Sequence, residues 1–147
     1  MDVAQKENAV NWTLEVVVVP VTDIDRAKAF YADRLGFTVD HDARFGEGRR
    51  VVQLTPPGSG CSVVIGEGVV PEMPPGSLRG LQLVVADIVK AHAQLVERGV
   101  AVSAVTAVDG DAAKVARGGA DLDNVGFVFF ADPDGNGWAV QQISARG

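Results

Sequence analysis

A chain of 147 residues has room for one domain with a sizeable core, and 47% hydrophobic with 22% charged residues is ordinary globular composition. A net charge of −6, with no basic run longer than Arg49-Arg50, argues against a nucleic-acid partner. The single cysteine, Cys61, excludes an intrachain disulfide and a cysteine-based zinc cage, and no stretch reads as a membrane span or secretory leader, so the expected compartment is the cytoplasm.

Residues 1–13 are expected to form an N-terminal arm. Leu14 to Val19 is a β-branched run and predicts a buried strand. Asp23 then stands at a helix N-cap, Ile24, Ala27, Phe30, Tyr31 and Leu35 recur at helical spacing, and Gly36 stops the helix. Phe37 to Phe45, Arg50 to Leu54 and Cys61 to Ile65 predict three strands, separated by Gly46-Glu47-Gly48 and by Thr55-Pro56-Pro57-Gly58-Ser59-Gly60. Residues 14–66 thus form one β-α-β-β-β module. The Pro- and Gly-rich stretch 67–79 reads as a linker. Gly80 to Val85 opens a second module, 80–147, with Asp87 as cap, Ile88, Ala91 and Leu95 as the helical stripe and Gly99 as stop. Val100 to Val108 predicts a strand and Asp109 to Asn124 a loop. Two strands then flank Asp132-Pro133-Asp134-Gly135-Asn136-Gly137, a run of turn residues.

The second half repeats the first. Val21-Thr22-Asp23-Ile24 matches Val85-Ala86-Asp87-Ile88 at an offset of 64, and Ala27 and Arg34 match Ala91 and Arg98 in that register. Gly36 matches Gly99 after a one-residue deletion. Pro56-Pro57-Gly58-Ser59-Gly60 matches Pro133-Asp134-Gly135-Asn136-Gly137 at an offset of 77.

The paired modules, the Asp-Ile cap before Phe30-Tyr31, Leu35-Gly36-Phe37 after it, and the Asp-Pro-Asp-Gly-Asn hairpin resemble the vicinal oxygen chelate superfamily, the group of glyoxalases, bleomycin-resistance proteins and extradiol dioxygenases. The resemblance covers about Leu14 to Ile143, and the hairpin is its most specific part. It implies an α+β fold of two tandem β-α-β-β-β modules in a curled, cup-shaped mixed sheet, and a homodimer with the cup built within one chain or across two. Metal-dependent members carry His, Gln or Glu at equivalent strand positions facing the cup. Carried over, those positions are Val16, Gly80 and Ala139, with Ser62 as the repeat mate of Ala139. None offers the imidazole or carboxylate donors that a catalytic divalent metal needs. A one-residue slip adds only Glu15 and Cys61. No metal and no cofactor is therefore expected.

Strand side chains alternate faces. If Val16, Ser62, Gly80 and Ala139 face the cup, so do Leu14, Val18, Val64, Gln82, Val84, Gln141 and Ile143, while Val17, Val19, Val63, Ile65, Leu81, Leu83, Val85 and Val140 face the helices. Gln82 and Gln141 then interrupt an apolar wall. They can orient a ligand by hydrogen bonds or bond each other or water at the mouth. Gln53 can join them. Phe130, with Phe45, is a candidate for lining the ligand space, whereas Trp138 points away. Tyr31 and Cys61 are expected in the covered core, and His41 and His92 at solvated positions. The expected function is metal-free binding of a small, partly hydrophobic molecule in the cup, of the resistance or sequestration type. The alternative is an enzyme of the same superfamily, a lyase, isomerase or dioxygenase, acting on a small metabolite.

Overall fold

The computed structural model describes residues 9–146. Most of the expected arm lies outside these residues; its described part, up to residue 13, is irregular. The first module runs β1 (Val16–Val18), α1 (Ile24–Ala29) continuing into a π-helical turn (Phe30–Arg34), β2 (Thr38–Arg44), β3 (Arg50–Thr55) and β4 (Ser62–Glu67). The second runs β5 (Leu81–Val85), α2 (Ile88–Glu97), β6 (Thr106–Ala107), α3 (Ala112–Arg117), a 3₁₀ turn (Gly119–Leu122), β7 (Gly126–Ala131) and β8 (Gly137–Gln142). Each module forms its own four-stranded mixed sheet, in the orders β1-β4-β3-β2 and β5-β8-β7-β6. The first and last strands of each module pair in parallel, and the other pairs are antiparallel. The two sheets do not close into one barrel. No described helix is long and apolar enough to cross a membrane.

Local chemistry explains the helix ends. Asp23 accepts a hydrogen bond from the Arg26 amide at 3.0 Å, and Asp87 one from the Lys90 amide at 3.1 Å. Each such cap is worth about 1 kcal/mol. The stops, Gly36 and Gly99, have φ of 76° and 78°, which a glycine adopts without steric cost.

The sheets share one core. Val19, Val63 and Ile65 of the first and Val128 and Val140 of the second are buried with Ala27, Tyr31, Ile88 and Leu95 of the helices. Burying a side chain of this size stabilises by about 1.5–3 kcal/mol. The opposite strand faces carry the more exposed residues, among them Val16, Gln82, Val84 and Phe129. The alternation follows the expected pattern at these positions, while Ser62 and Val64, expected on the open face, are buried.

Two expectations are corrected. Val100 to Val108 is not a continuous strand. It touches β7 through a bridge at Val102, through Ser103, whose hydroxyl accepts from the Phe129 amide at 2.9 Å, and only then through β6. The stretch Asp109 to Asn124 is not merely a loop: Asp111 caps α3, and Leu122 is fully buried.

Candidate functional site

The Asp132 hairpin is held by one carboxylate. Asp132 Oδ1 accepts from the amides of Asp134 and Asn136, at 3.0 and 2.9 Å. Its Oδ2 accepts from Asn136 Nδ2 and from the Tyr31 hydroxyl of the first module, both at 2.8 Å. Trp138 Nε1 donates to the same hydroxyl at 3.0 Å. Asn136 Nδ2 also donates to Pro20 O at 2.8 Å, and Asp134 Oδ1 accepts from Thr22 Oγ1 at 2.7 Å. The turn is therefore a latch between the modules as well as a hairpin. Burial, then the adjacent Asp132 charge, pushes the Tyr31 phenol far above its ordinary value.

The open faces hold the expected ligand positions. Val16 stands beside Ser62 across the β1–β4 pairing, and Gln82 beside Ala139 across β5–β8. This pairing corrects the repeat register. Adding 64 to Val16 gives Gly80 and adding 77 to its partner Ser62 gives Ala139, yet the residue opposite Ala139 is Gln82. The two offsets thus do not both carry through the strands. The slip is two residues, one full strand repeat, so the assigned faces stay as they were.

Ser62 is buried, its hydroxyl 2.6 Å from Thr55 Oγ1. Gln53 is half-buried between Val64 on β4 and His41 on β2. Gln82 Nε2 donates to Gln141 Oε1 at 2.6 Å, and Gln141 Nε2 to Asn124 O at 2.8 Å. The two amides bond each other, one of the two expected arrangements.

Phe130 is a correction. It is buried on the covered face, its ring stacked on Trp138 at 6.1 Å and 5°. It stands opposite Trp138 in the β7–β8 ladder, and paired residues share a face. The aromatics on the open face are instead Phe127, opposite Gln141, and Phe129, opposite Ala139. Their rings stack at 5.8 Å and 8°, with Phe129 45% exposed. The strand ladder thus makes Gln82, Ala139, Gln141, Phe127 and Phe129 one patch. Nearer β1, a cavity of about 280 Å³ at the seam between the modules is lined by Leu14, Ser62, Gly80 and Gln82 together with covered-face residues, among them Val63, Leu81 and Trp138. Cys61 lines it too and is half-buried, rather than part of the covered core. Val16, Gln53, Ala139 and Gln141 lie outside this cavity.

Of Val16, Ser62, Gln82 and Ala139, only Gln82 has a side chain of the kind metal-dependent members use, and a single donor cannot hold a catalytic metal. Among the described residues, no three His, Cys, Asp or Glu side chains come together as a metal site would require. The strongest ionic cluster lies elsewhere: Arg50, 7% exposed, holds Asp42 with two hydrogen bonds and Asp25 with a third. Those bonds, with one from Lys28, keep the Asp42 carboxyl well below its usual range.

Two tandem β-α-β-β-β modules joined by an Asp-Pro-Asp-Gly-Asn latch define a class of paired-module α+β proteins. The chain belongs to the glyoxalase/bleomycin resistance protein/dioxygenase superfamily, whose family model matches residues 13–140. It is similar to TnmS3, an antibiotic binding protein from Streptomyces sp. CB03234, with 34% identity over 93% of this chain and 100% of that one, at a TM-score of 0.71. A glyoxalase/bleomycin resistance protein from the same organism is also 34% identical, covering 88% of this chain and all of that one, at a TM-score of 0.66. A superfamily member from Sphaerobacter thermophilus is 27% identical over 90% of this chain and 98% of that one, at 0.69. No curated protein matches by sequence.

Proposed function

We propose that the chain is a small-molecule binding protein of the antibiotic-sequestering kind, which holds a planar, partly hydrophobic ligand against the open face of the second sheet without a metal. The observation that carries this reading is the stacked pair Phe127 and Phe129 beside Ala139, with the Gln82–Gln141 amides at its edge. Aromatic faces supply apolar contact to a flat molecule, and a few fixed amides orient it. Ala139 leaves the space above the strand clear. The similarity to an antibiotic binding protein supports the ligand class.

The ligand is enclosed by a homodimer. Trp12 is 91% exposed and Leu14 69%, and they lead into Val16 on the edge strand β1. Such a run of exposed apolar residues marks an interaction surface. A second copy is the occupant that would also cover the exposed Val84 and Phe129.

Calorimetric titration with planar polycyclic antibiotics, doxorubicin as the first probe, tests the reading. Binding that weakens in Phe129→Ala is expected. Absence of binding across the panel, or binding indifferent to Phe129→Ala, would refute it. A stoichiometric Zn, Ni, Fe or Mn in the native mass spectrum would overturn the metal-free part. A monomer at every concentration in sedimentation would overturn the dimer.

A further inference from the structure

A second cavity, of about 350 Å³, lies on the covered side, between α2, the second sheet and the first module. This is the size of a small-molecule pocket. Leu35 and Phe37 come from the first module, and Leu83, Leu95, Phe130 and Val140 from the second. Pro56 and Pro57 form a stiff rim.

The repeat explains why the space exists. At the offset of 64, Phe30 and Tyr31 of the first helix correspond to Gln94 and Leu95 of the second. Beneath the first helix, Tyr31 reaches the Asp132 hairpin and Phe30 packs on Phe130 with ring centroids 6.2 Å apart. Beneath the second, the residues facing the corresponding turn are a leucine and an exposed glutamine. Two rings are missing there, and the cavity lies beside Gln94 and Leu95.

The charge at the edge is equally asymmetric. Arg34 spends its guanidinium on the carbonyls of Arg98 and Gly99, at 3.2 and 3.0 Å. Its repeat mate, Arg98, is exposed, lines the cavity, and has no ion pair or side-chain hydrogen bond among the described residues. Among the described residues, no carboxylate lines the cavity. An apolar chamber with one unspent guanidinium and no competing acid selects an amphiphilic anion.

We propose that this cavity is a second binding site, for a small apolar anion whose hydrocarbon part lies between α2 and the Pro56-Pro57 turn and whose acid group pairs with Arg98. It shares only Val84 with the open face, and neither reading depends on the other.

The test uses naphthalene-2-carboxylate and its neutral counterpart naphthalene-2-methanol, titrated into the whole chain and followed by amide chemical shifts. The carboxylate is expected to shift amides in Leu83–Val85 and along α2, and to bind about tenfold more tightly than the alcohol. Arg98→Gln should abolish that preference. Ala91→Phe, which builds a ring into the space from the helix, should abolish binding of both. No binding of the carboxylate at millimolar concentration, shifts confined to Phe127, Phe129 and Gln141, or a preference that survives Arg98→Gln would each overturn the proposal. The Arg98 comparison stands even if Ala91→Phe fails to fold.

Discussion

Arg34 and Arg98 cross over at the joint between the modules: each lies on the glycine that ends the other module's helix. A Cβ at Gly36 would come within 2.9 Å of Arg98 Nη1, and one at Gly99 would meet Arg34 Nη1 closer still. The packing is reciprocal and the bonding is not. Only Arg34 caps the opposite carbonyls. Arg34→Gln should therefore cost about 1 kcal/mol, while Arg98→Gln should change stability by no more than about 0.5 kcal/mol. Urea unfolding of the two variants measures the difference. Equal costs would show that the bonds from Arg34 contribute nothing.

Tyr31→Phe removes the hydroxyl that joins Asp132 to Trp138. Loss of a buried bond with partners left behind costs about 1–3 kcal/mol. The alkaline behaviour should change as well. The ordinary phenol value is 10.0, and the folded value lies far above it. Above about pH 10, then, the unfolded chain gives up a proton that the folded chain keeps, and stability falls as pH rises. The variant should lose this contribution to the slope. Denaturation midpoints at pH 8 and pH 11 decide it.

The acid side has the opposite sign. Arg50, then Lys28, hold the Asp42 carboxyl below its ordinary 3.8. The stability this lends is present above about pH 4 and is lost as pH falls toward the folded value. Asp42→Asn should be less stable than the parent at pH 7, and the gap should narrow steadily from about pH 4 to about pH 2. A constant gap across that range would place the stability outside the ionic cluster.

Phe129→Ala should leave stability within about 0.5–1 kcal/mol of the parent, because the ring is 45% exposed. The same change should weaken a planar ligand by about tenfold or more, the worth of one aromatic contact. Thermal denaturation with and without ligand separates the two effects.

What the sequence discloses here is what local chemistry controls. Asp23 and Asp87 cap because a carboxylate reaches the third amide, whatever surrounds it. The strand faces follow from alternation, which explains the exposed Val16, Gln82 and Val84 and the buried Val19, Ile65 and Val140. Alternation does not say how deeply a face is covered, and Ser62 and Val64 on the open side are buried. Phe130 was within reach of the same rule. A tight turn at Asp132 sets it opposite Trp138, and a residue expected to point away from the cup fixes its partner's face. The α3 helix escaped because six residues between glycines are too few to show a period. The latch could not be read at all. It joins Tyr31 to Asp132 across 101 residues, and nothing in either segment specifies the other.

The π-helical turn at Phe30–Arg34 carries a lesson about length. Between its Asp cap and its Gly stop, the first helix has one residue more than the second. The wide turn, where the Leu35 amide bonds Phe30 O at 3.1 Å, takes up the surplus. A turn that takes in a fifth residue leaves the side chains after it on nearly the faces they would hold without it. Phe30 and Tyr31 therefore keep to the hairpin while Arg34 keeps to the joint, and deleting Ala32 would make the two spans equal by closing the turn to an ordinary α-helical one. The surplus residue is a splice in the helix, a place where the two copies differ in length while both contacts stay aligned.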